Sequence, residues 1–413
     1  MSQGAQSASG VRNFLFWLSL AQLISWGSTF YLFGLLVQPL EAELHINRAQ
    51  SSLGFSLMLL AEGLLAYPVG RWIDRGHARG VMTAGSALAA VCLLLLARLH
   101  SVFAFYAAWT AMGLALACIL YSPVFAVVTR RFPQDFRRAI ITITFLGGLA
   151  STVFIPLTLW LISGLGWRSA VVVLAAFHVA VCLPVHWFLL RGEPRTPAHP
   201  TSAEAPDGVF SLRRNLRNPV FLLLGVFTAL SMAVASAIPA HLVPLLREQG
   251  LSEHWVGLVP ASIGALQVLG RLMLYRLEHR YDLHRINLGI VLLMPLSLVL
   301  LALLLIAGPT TAVALGLAFA ALYGLANGML TIVKGTAIAE YVNRQHVAAL
   351  NGALGLPTAL TRALAPVAVG SLWALTQGYG SGVALLLAVS LAGCGAFARA
   401  QRLALRQRAA VSP

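Results

Sequence analysis

Long apolar runs recur along the whole chain, and they constrain its fold more than any other feature. A helix needs about 20 mostly apolar residues to cross the hydrocarbon core of a bilayer. Apolar residues make up 59% of the chain and charged residues only 10%, against about 25% charged residues in soluble domains. Twelve candidate spans lie at 13–39, 49–72, 80–98, 101–129, 139–163, 169–190, 219–246, 254–275, 286–306, 312–340, 347–375 and 382–400. The sequence therefore predicts an all-α integral membrane protein with twelve transmembrane helices.

The basic residues predict the direction of these spans. Loops rich in Lys and Arg stay on the cytoplasmic side, and here the two sets of loops differ strongly. One set, with both termini, holds twenty arginines, whereas the other holds only Arg48, Arg98, Arg168 and Arg247. We therefore expect both termini in the cytoplasm and a bacterial-type inner membrane. The net charge of +15 then comes mostly from arginines that set the direction of the spans. Because these arginines are spread over many short loops, a nucleic-acid partner is not expected.

A polar stretch divides the spans into two sets of six. Residues 191–218 are rich in Pro, Ser and Arg, which is typical of a linker. The interpretation is an N-terminal half at 1–190, a cytoplasmic linker at 191–218 and a C-terminal half at 219–413. A weak internal repeat supports duplication, because "GRWIDRGHAR" follows the second span and "YRLEHRYDLHR" follows the eighth.

No motif of an enzyme is found. The four cysteines fall inside apolar runs without metal-ligand spacing, and a phosphate-binding loop is missing. We predict neither enzymatic activity nor a cofactor nor a metal site.

The loop after the second span resembles a family signature. "GRWIDRGHAR" (70–79) is similar to the Gly-x-x-x-Asp-Arg-x-x-x-Arg motif of the major facilitator superfamily, with Asp74, Arg75 and Arg79 at the charged positions. The resemblance implies the major facilitator fold and assigns these three residues to gating, because the motif loop latches the two halves on the cytoplasmic side.

Three further segments resemble one branch of that superfamily. "SWGSTFYLFG" (25–34), the fifth span with its "GWR" ending, and "QVLGRLMLYR" (267–276) are similar to the monocarboxylate transporters and the oxalate:formate antiporters. The resemblance implies a secondary transporter of a small organic anion that works by alternating access.

Two basic residues inside spans are candidates for binding that anion. Charges at membrane depth cost about 2.5–3.5 kcal/mol on insertion scales and usually face the bundle interior. Arg271 in the eighth span offers a guanidinium fork that matches a carboxylate. Lys334, the only lysine of the chain, lies on the tenth span, which lines the cavity in this superfamily. The alternative for both is a side chain that snorkels to the cytoplasmic edge.

Glu62 and Arg362 are the acid and the base nearest the centres of their spans. The family fold brings spans two and eleven together across the two halves, so we expect a coupling or gating pair. The alternative is that each residue pairs within its own half.

Three further residues on cavity-lining spans are assigned to substrate binding. His241 could also carry a coupled proton, and Trp26 and Tyr31 could contact the substrate. A structural histidine and ordinary aromatic packing are the alternatives.

The sequence thus favours a transporter for a small, monocarboxylate-like organic anion, with protons as the coupling ion, functioning as a monomer in the bilayer. One alternative is an exporter of an amphiphilic drug or metabolite. Another is a membrane sensor or partner protein without transport activity.

Overall fold

The structure, a computed structural model, is built from helices. It describes residues 8–132, 134–191, 217–278, 280–342 and 347–409, and no strand occurs among them. The α-helices are α1 Ala8–Ser25, α2 Leu32–Leu44, α3 Arg48–Trp72, α4 Ala78–Leu96, α5 Val102–Ile119, α6 Tyr121–Arg131, α7 Phe136–Gly148, α8 Ala150–Phe177, α9 Pro219–Glu248, α10 Glu253–Leu277, α11 Leu283–Leu304, α12 Pro309–Tyr341, α13 Val347–Thr376 and α14 Gly380–Ala409. The predicted all-α membrane protein is confirmed. Most of the predicted linker, 191–218, lies outside the described residues.

Ten helical stretches of the described chain are long and apolar enough to cross a membrane. Two of them, Arg48–Leu96 and Arg138–Leu189, have 49 and 52 residues, about twice the length that one crossing needs. Each contains a glycine in the left-handed region, Gly76 at φ 84° and Gly166 at φ 77°, where a residue with a Cβ is strained. A division at these glycines is compatible with twelve crossings, and the count of twelve itself stays a prediction.

The described chain forms two compact units. Unit 1 comprises Met1–Pro39 and Ala61–Ala203, and unit 2 comprises Leu40–Leu60 and Glu204–Pro413. The segment 40–60, which holds the end of α2 and the start of α3, thus groups with unit 2 by its contacts. The boundaries predicted for the two halves stay a prediction.

Within unit 2, α10 and α12 pack backbone against backbone. A methyl group built on Gly324 would lie 3.1 Å from the main-chain oxygen of Ile263, and one built on Gly328 would lie 2.8 Å from the carbonyl carbon of Gln267. Only glycine permits such an approach, which is the usual role of small residues between membrane helices. Ile263 meets Gly324, Gln267 meets Gly328 and Gly270 meets Leu325, so the two backbones are in contact over these stretches.

Candidate functional site

Lys334 lies in unit 2 beside a second cation. Its ammonium is half-buried and donates a hydrogen bond of 3.1 Å to the Met232 thioether, which is a weak acceptor. Arg362 on α13 lies close enough to repel it electrostatically. The nearby positive charge adds to the cost of keeping the ammonium inside a span.

Arg271 follows the stretch of α10 that is in backbone contact with α12. In that stretch Gln267 meets Gly328, and Gly270 meets Leu325. Lys334 lies on α12 six residues after Gly328. Arg271, Lys334 and Arg362 all belong to unit 2.

Trp26 and Tyr31 belong to an aromatic group in unit 1. A π-helical turn, Trp26–Phe30, interrupts the first span, and such turns are frequent at functional sites. The Trp26 ring lies 5.0 Å from Tyr121 and 5.2 Å from Phe30, and the Phe30 ring lies 5.4 Å from Tyr31. The indole Nε1 of Trp26 has no hydrogen-bond partner within the described part of the chain, so one donor remains available beside these rings.

The charged residues of the 70–79 motif are tied to other parts of unit 1. Arg130 at the end of α6 donates to the Asp74 carboxylate at 2.7 Å. Arg79 stacks on the Trp187 ring at 3.7 Å and donates to the main-chain oxygen of that residue at 2.9 Å. Arg75 is exposed. The role of this loop in gating stays a prediction.

A buried polar network surrounds Arg48 in unit 2. The guanidinium is 3% exposed and binds both oxygens of Glu41, with Nε–Oε1 at 2.7 Å and Nη2–Oε2 at 3.1 Å. Its Nη1 donates to Glu248 at 3.0 Å and also to the Tyr379 hydroxyl, and its planar face lies 4.4 Å from the Trp373 ring. Trp373 in turn donates its indole N–H to the second oxygen of Glu248 at 2.9 Å.

His241 joins this network and is 4% exposed. Its Nε2 lies 2.9 Å from the carbonyl oxygen of Pro366 and its Nδ1 lies 3.5 Å from the Tyr379 hydroxyl. Since a carbonyl only accepts, Nε2 carries the proton and Nδ1 accepts. Burial raises the pKa of Tyr379 above its usual range, so its hydroxyl remains a donor. The assignment of His241 to substrate binding stays a prediction.

Glu62 and Arg362 fall in different units, and both are half-buried. Their pairing therefore stays a prediction. Within unit 2, Arg362 is near enough to Lys334 to repel it electrostatically, which the sequence reasoning did not anticipate.

The sequence reasoning missed the Arg48 network. It treated Arg48 only as one of four arginines in the arginine-poor set of loops. A signal was present: an arginine in those loops opposes the usual bias, and Glu41 precedes it by seven residues. Its other partners, Glu248, Trp373 and Tyr379, are too distant in sequence to be anticipated.

Among the described residues, no group of three His, Cys, Asp or Glu side chains could hold a metal ion. The four cysteines, Cys92, Cys118, Cys182 and Cys394, are buried and free.

Comparison with known proteins agrees with this architecture. The chain is 26% identical to an uncharacterized MFS-type transporter, YcxA, of Bacillus subtilis over 249 residues, which are 58% of this chain and 59% of that protein. It is 29% identical to an MFS-type efflux pump of Mycolicibacterium smegmatis over 60% of this chain and 58% of the pump. It is 26% identical to monocarboxylate transporter 11 of Mus musculus over 57% of this chain and 53% of the transporter. The chain thus matches between about half and three fifths of the length of these curated relatives.

Solved structures share the fold at low sequence identity. The nucleoside transporter NupG matches with a TM-score of 0.72 and 15% identity over 94% of this chain and 98% of that chain. A bacterial homologue of the human lysosomal transporter Spinster, in an inward-facing and occupied conformation, matches with a TM-score of 0.71 and 16% identity over 96% of this chain and 97% of that chain.

The family model that matches residues 18–366 is described as Major Facilitator Superfamily, and it covers well over half of the chain. With its apolar helices, its motif at 70–79 and its relatives, this multi-pass membrane protein belongs to the major facilitator superfamily.

Proposed function

We propose that the protein carries a small organic anion across the membrane by alternating access. The observation that carries this proposal is the half-buried Lys334 ammonium in unit 2, which donates to the Met232 thioether and is repelled by Arg362. A carboxylate would satisfy the ammonium better than the Met232 thioether does, because hydrogen bonds to an ionised acceptor are roughly twice as strong. A cationic substrate would be repelled at this site.

The similarity to a monocarboxylate transporter supports the same substrate class. Proton symport is the proposed coupling, and anion exchange is its alternative. We further propose that both termini lie in the cytoplasm, because of the arginine distribution. The proposed location is a bacterial-type inner membrane, and the proposed functional state is a monomer.

Thermal unfolding of the purified protein tests the substrate class. The probes are lactate, succinate and benzoate, with uridine and ethidium as a nucleoside and a cationic drug. A ligand at about 100 times its Kd adds about 2.7 kcal/mol to the unfolding free energy, so a carboxylate that binds should raise the melting temperature.

Variants locate the binding site. Arg271→Gln and Lys334→Gln should each abolish the carboxylate-induced shift, whereas Arg276→Gln, an exposed arginine on the same helix as Arg271, should retain it. A shift with uridine or ethidium and none with the carboxylates would contradict the proposal.

The second candidate function is export of an amphiphilic drug or metabolite. The observation that favours it is the 29% identity to an MFS-type efflux pump. Stabilisation by ethidium that persists in Lys334→Gln would support this second function.

A further inference from the structure

We propose that the exposed face of the last helix, α14, binds the phosphate headgroups of anionic phospholipids through Arg399, Arg402 and Arg406. These three residues form the arginine stripe of the helix. The inference goes beyond the proposed function, because the partner is a lipid of the bilayer and not the transported molecule.

The length of α14 places the arginine stripe at the edge of the hydrocarbon core. The helix has 30 residues, Gly380–Ala409, which is about 45 Å at the rise of an α-helix, whereas the core is about 30 Å thick. No charged residue occurs in the helix before Arg399, and the stretch from 380 to 398 is about 28 Å long. Arg399 therefore lies where the core ends, and the other two arginines follow within about 11 Å, across the headgroup region and its outer edge.

The arginine stripe occupies one face of α14. Its members are spaced by three and four residues, so at about 100° per residue they lie within about 60° of one another. All three are exposed, whereas the intervening Ala400, Gln401 and Ala404 are buried. The helix therefore packs through its small and amide side chains and presents its basic face outward.

Hydrogen bonds on the buried face hold this end of α14 in place. Gln401 donates through Nε2 to the main-chain oxygen of His284 at 2.8 Å and to the Tyr341 hydroxyl at 2.9 Å. An amide nitrogen carries two hydrogens, so both are used within the fold. The Tyr341 hydroxyl also lies 3.4 Å from Nδ2 of Asn287. The arginine stripe thus sits on a docked helix, and such preorganisation lowers the entropic cost of binding a ligand.

The charge of the arginine stripe is not balanced along its own helix. α14 contains no Asp or Glu, and the last acidic residue of the sequence is Glu340. By contrast, Arg247 pairs with Glu253 at 2.8 Å, within one stretch of the chain. A phosphate offers the guanidinium groups a two-point partner, and basic residues on a helix at the membrane surface attract anionic lipids.

The start of α11 adds to this surface. Because Gln401 contacts His284, the end of α14 lies beside the first turn of α11. Arg285 is exposed there and Tyr281 is 64% exposed. The carboxylate of Asp282 accepts from the backbone N–H of Arg285 at 3.0 Å and so caps the helix. Tyrosine is enriched at the level of the headgroups because its ring is amphipathic, which agrees with a lipid as the partner.

Energy transfer in vesicles tests the lipid site without any substrate. A donor dye is attached to Gln407→Cys, an exposed position on α14, in the full chain with its four native cysteines replaced by alanine. The vesicles consist of dioleoylphosphatidylcholine with a trace of phosphatidylglycerol that carries an acceptor dye on its acyl chain. Phosphatidylcholine with the same acceptor measures chance proximity. We expect the anionic lipid to be enriched near the donor relative to this reference.

Replacement of any one arginine of the stripe by Gln should lower this enrichment by about fivefold, because a basic residue near the membrane surface contributes about 1 kcal/mol. The triple variant Arg399→Gln, Arg402→Gln and Arg406→Gln should bring the two lipids to equal transfer. Gln401→Leu removes no charge, yet it should also lower the enrichment, because it releases the end of α14 from its two hydrogen bonds.

A matched control separates a lipid site from the general effect of positive charge. It replaces three other exposed arginines of the arginine-rich loops and termini by Gln, namely Arg12, Arg75 and Arg276. This control loses the same net charge and should retain the enrichment. Equal transfer from the two lipids in the parent, or an equal loss in the control, would overturn the proposal. Loss of the enrichment in millimolar inorganic phosphate at constant ionic strength would also overturn it, because free phosphate would then be the ligand.

Discussion

We propose that Lys334 is placed for function at the expense of stability. The ammonium is half-buried, its hydrogen-bond acceptor is a thioether, and Arg362 repels it. Each of these features disfavours the charged side chain in the folded protein. Residues of this kind are expected at binding sites, where function and stability conflict.

Replacement of Lys334 by Met should therefore leave the unliganded protein as stable as the parent or more stable. Met fills a similar volume and removes both the cost of the charge and the repulsion by Arg362. The same variant should lose the carboxylate-induced shift. The measurement is the melting temperature in detergent with and without lactate, and Met232→Leu is the control that removes only the sulfur acceptor. A clear fall in the melting temperature of unliganded Lys334→Met would show that the ammonium has a structural role.

At the scale of elements, α10 and α12 are held in close backbone contact. Glycines at 270, 324 and 328 let the two backbones meet. Arg271 directly follows the first of these glycines, and Lys334 lies six residues after the last. A larger residue on this face would separate the helices and shift Arg271 relative to Lys334. The contact is therefore both a packing feature and a positioning feature.

Gly328→Ala should destabilise the protein by about 1–3 kcal/mol, the usual cost of overpacking, because the added methyl group would lie 2.8 Å from the carbonyl carbon of Gln267. Gly335→Ala on the same helix is the matched control. No atom lies within 4 Å of the added methyl group there, and alanine has the better helix propensity, so stability should be unchanged or slightly higher. Thermal unfolding of the two variants side by side checks the difference, and equal stabilities would argue against the close backbone contact at Gly328.

At the scale of the whole molecule, the arginine distribution is the basis of the proposed direction in the membrane. Twenty arginines fall in one set of loops and termini and four in the other. Of those four, Arg48, Arg168 and Arg247 are held by specific partners: Arg48 and Arg247 form ion pairs, and Arg168 donates to the main-chain oxygens of Ala97 and Leu99. These structural partners explain why three arginines occur in the arginine-poor loops, although Lys and Arg generally favour cytoplasmic loops.

Labelling of single cysteines tests this direction. His77→Cys and His100→Cys are both at exposed positions, in loops that follow the second and third predicted spans. With the native cysteines replaced, a membrane-impermeant maleimide applied to intact cells should label His100→Cys and not His77→Cys, and inside-out vesicles should reverse the result. Labelling of His77→Cys in intact cells would invert the proposed topology.

The sequence by itself determined the helices, the membrane environment and the family of this protein. These follow from local properties: the length of each apolar run, the arginines that flank it and the motif at 70–79. It also marked Arg271, Lys334 and Arg362 as unusual, since a charge inside an apolar run is evident without any knowledge of packing.

Only the tertiary structure decided which residues lie in contact with one another. Lys334 meets Met232 across 102 positions of sequence, and Arg48 meets Glu248 across 200 and Tyr379 across 331. Such contacts depend on which helix faces pack and in which register, and the hydropathy of the sequence indicates neither. In the sequence, the glycines between α10 and α12 look like ordinary small residues, because their role depends on the contact with the other helix. For the same reason Arg48 is a loop arginine in the sequence, whereas in the folded chain it is the centre of a buried network.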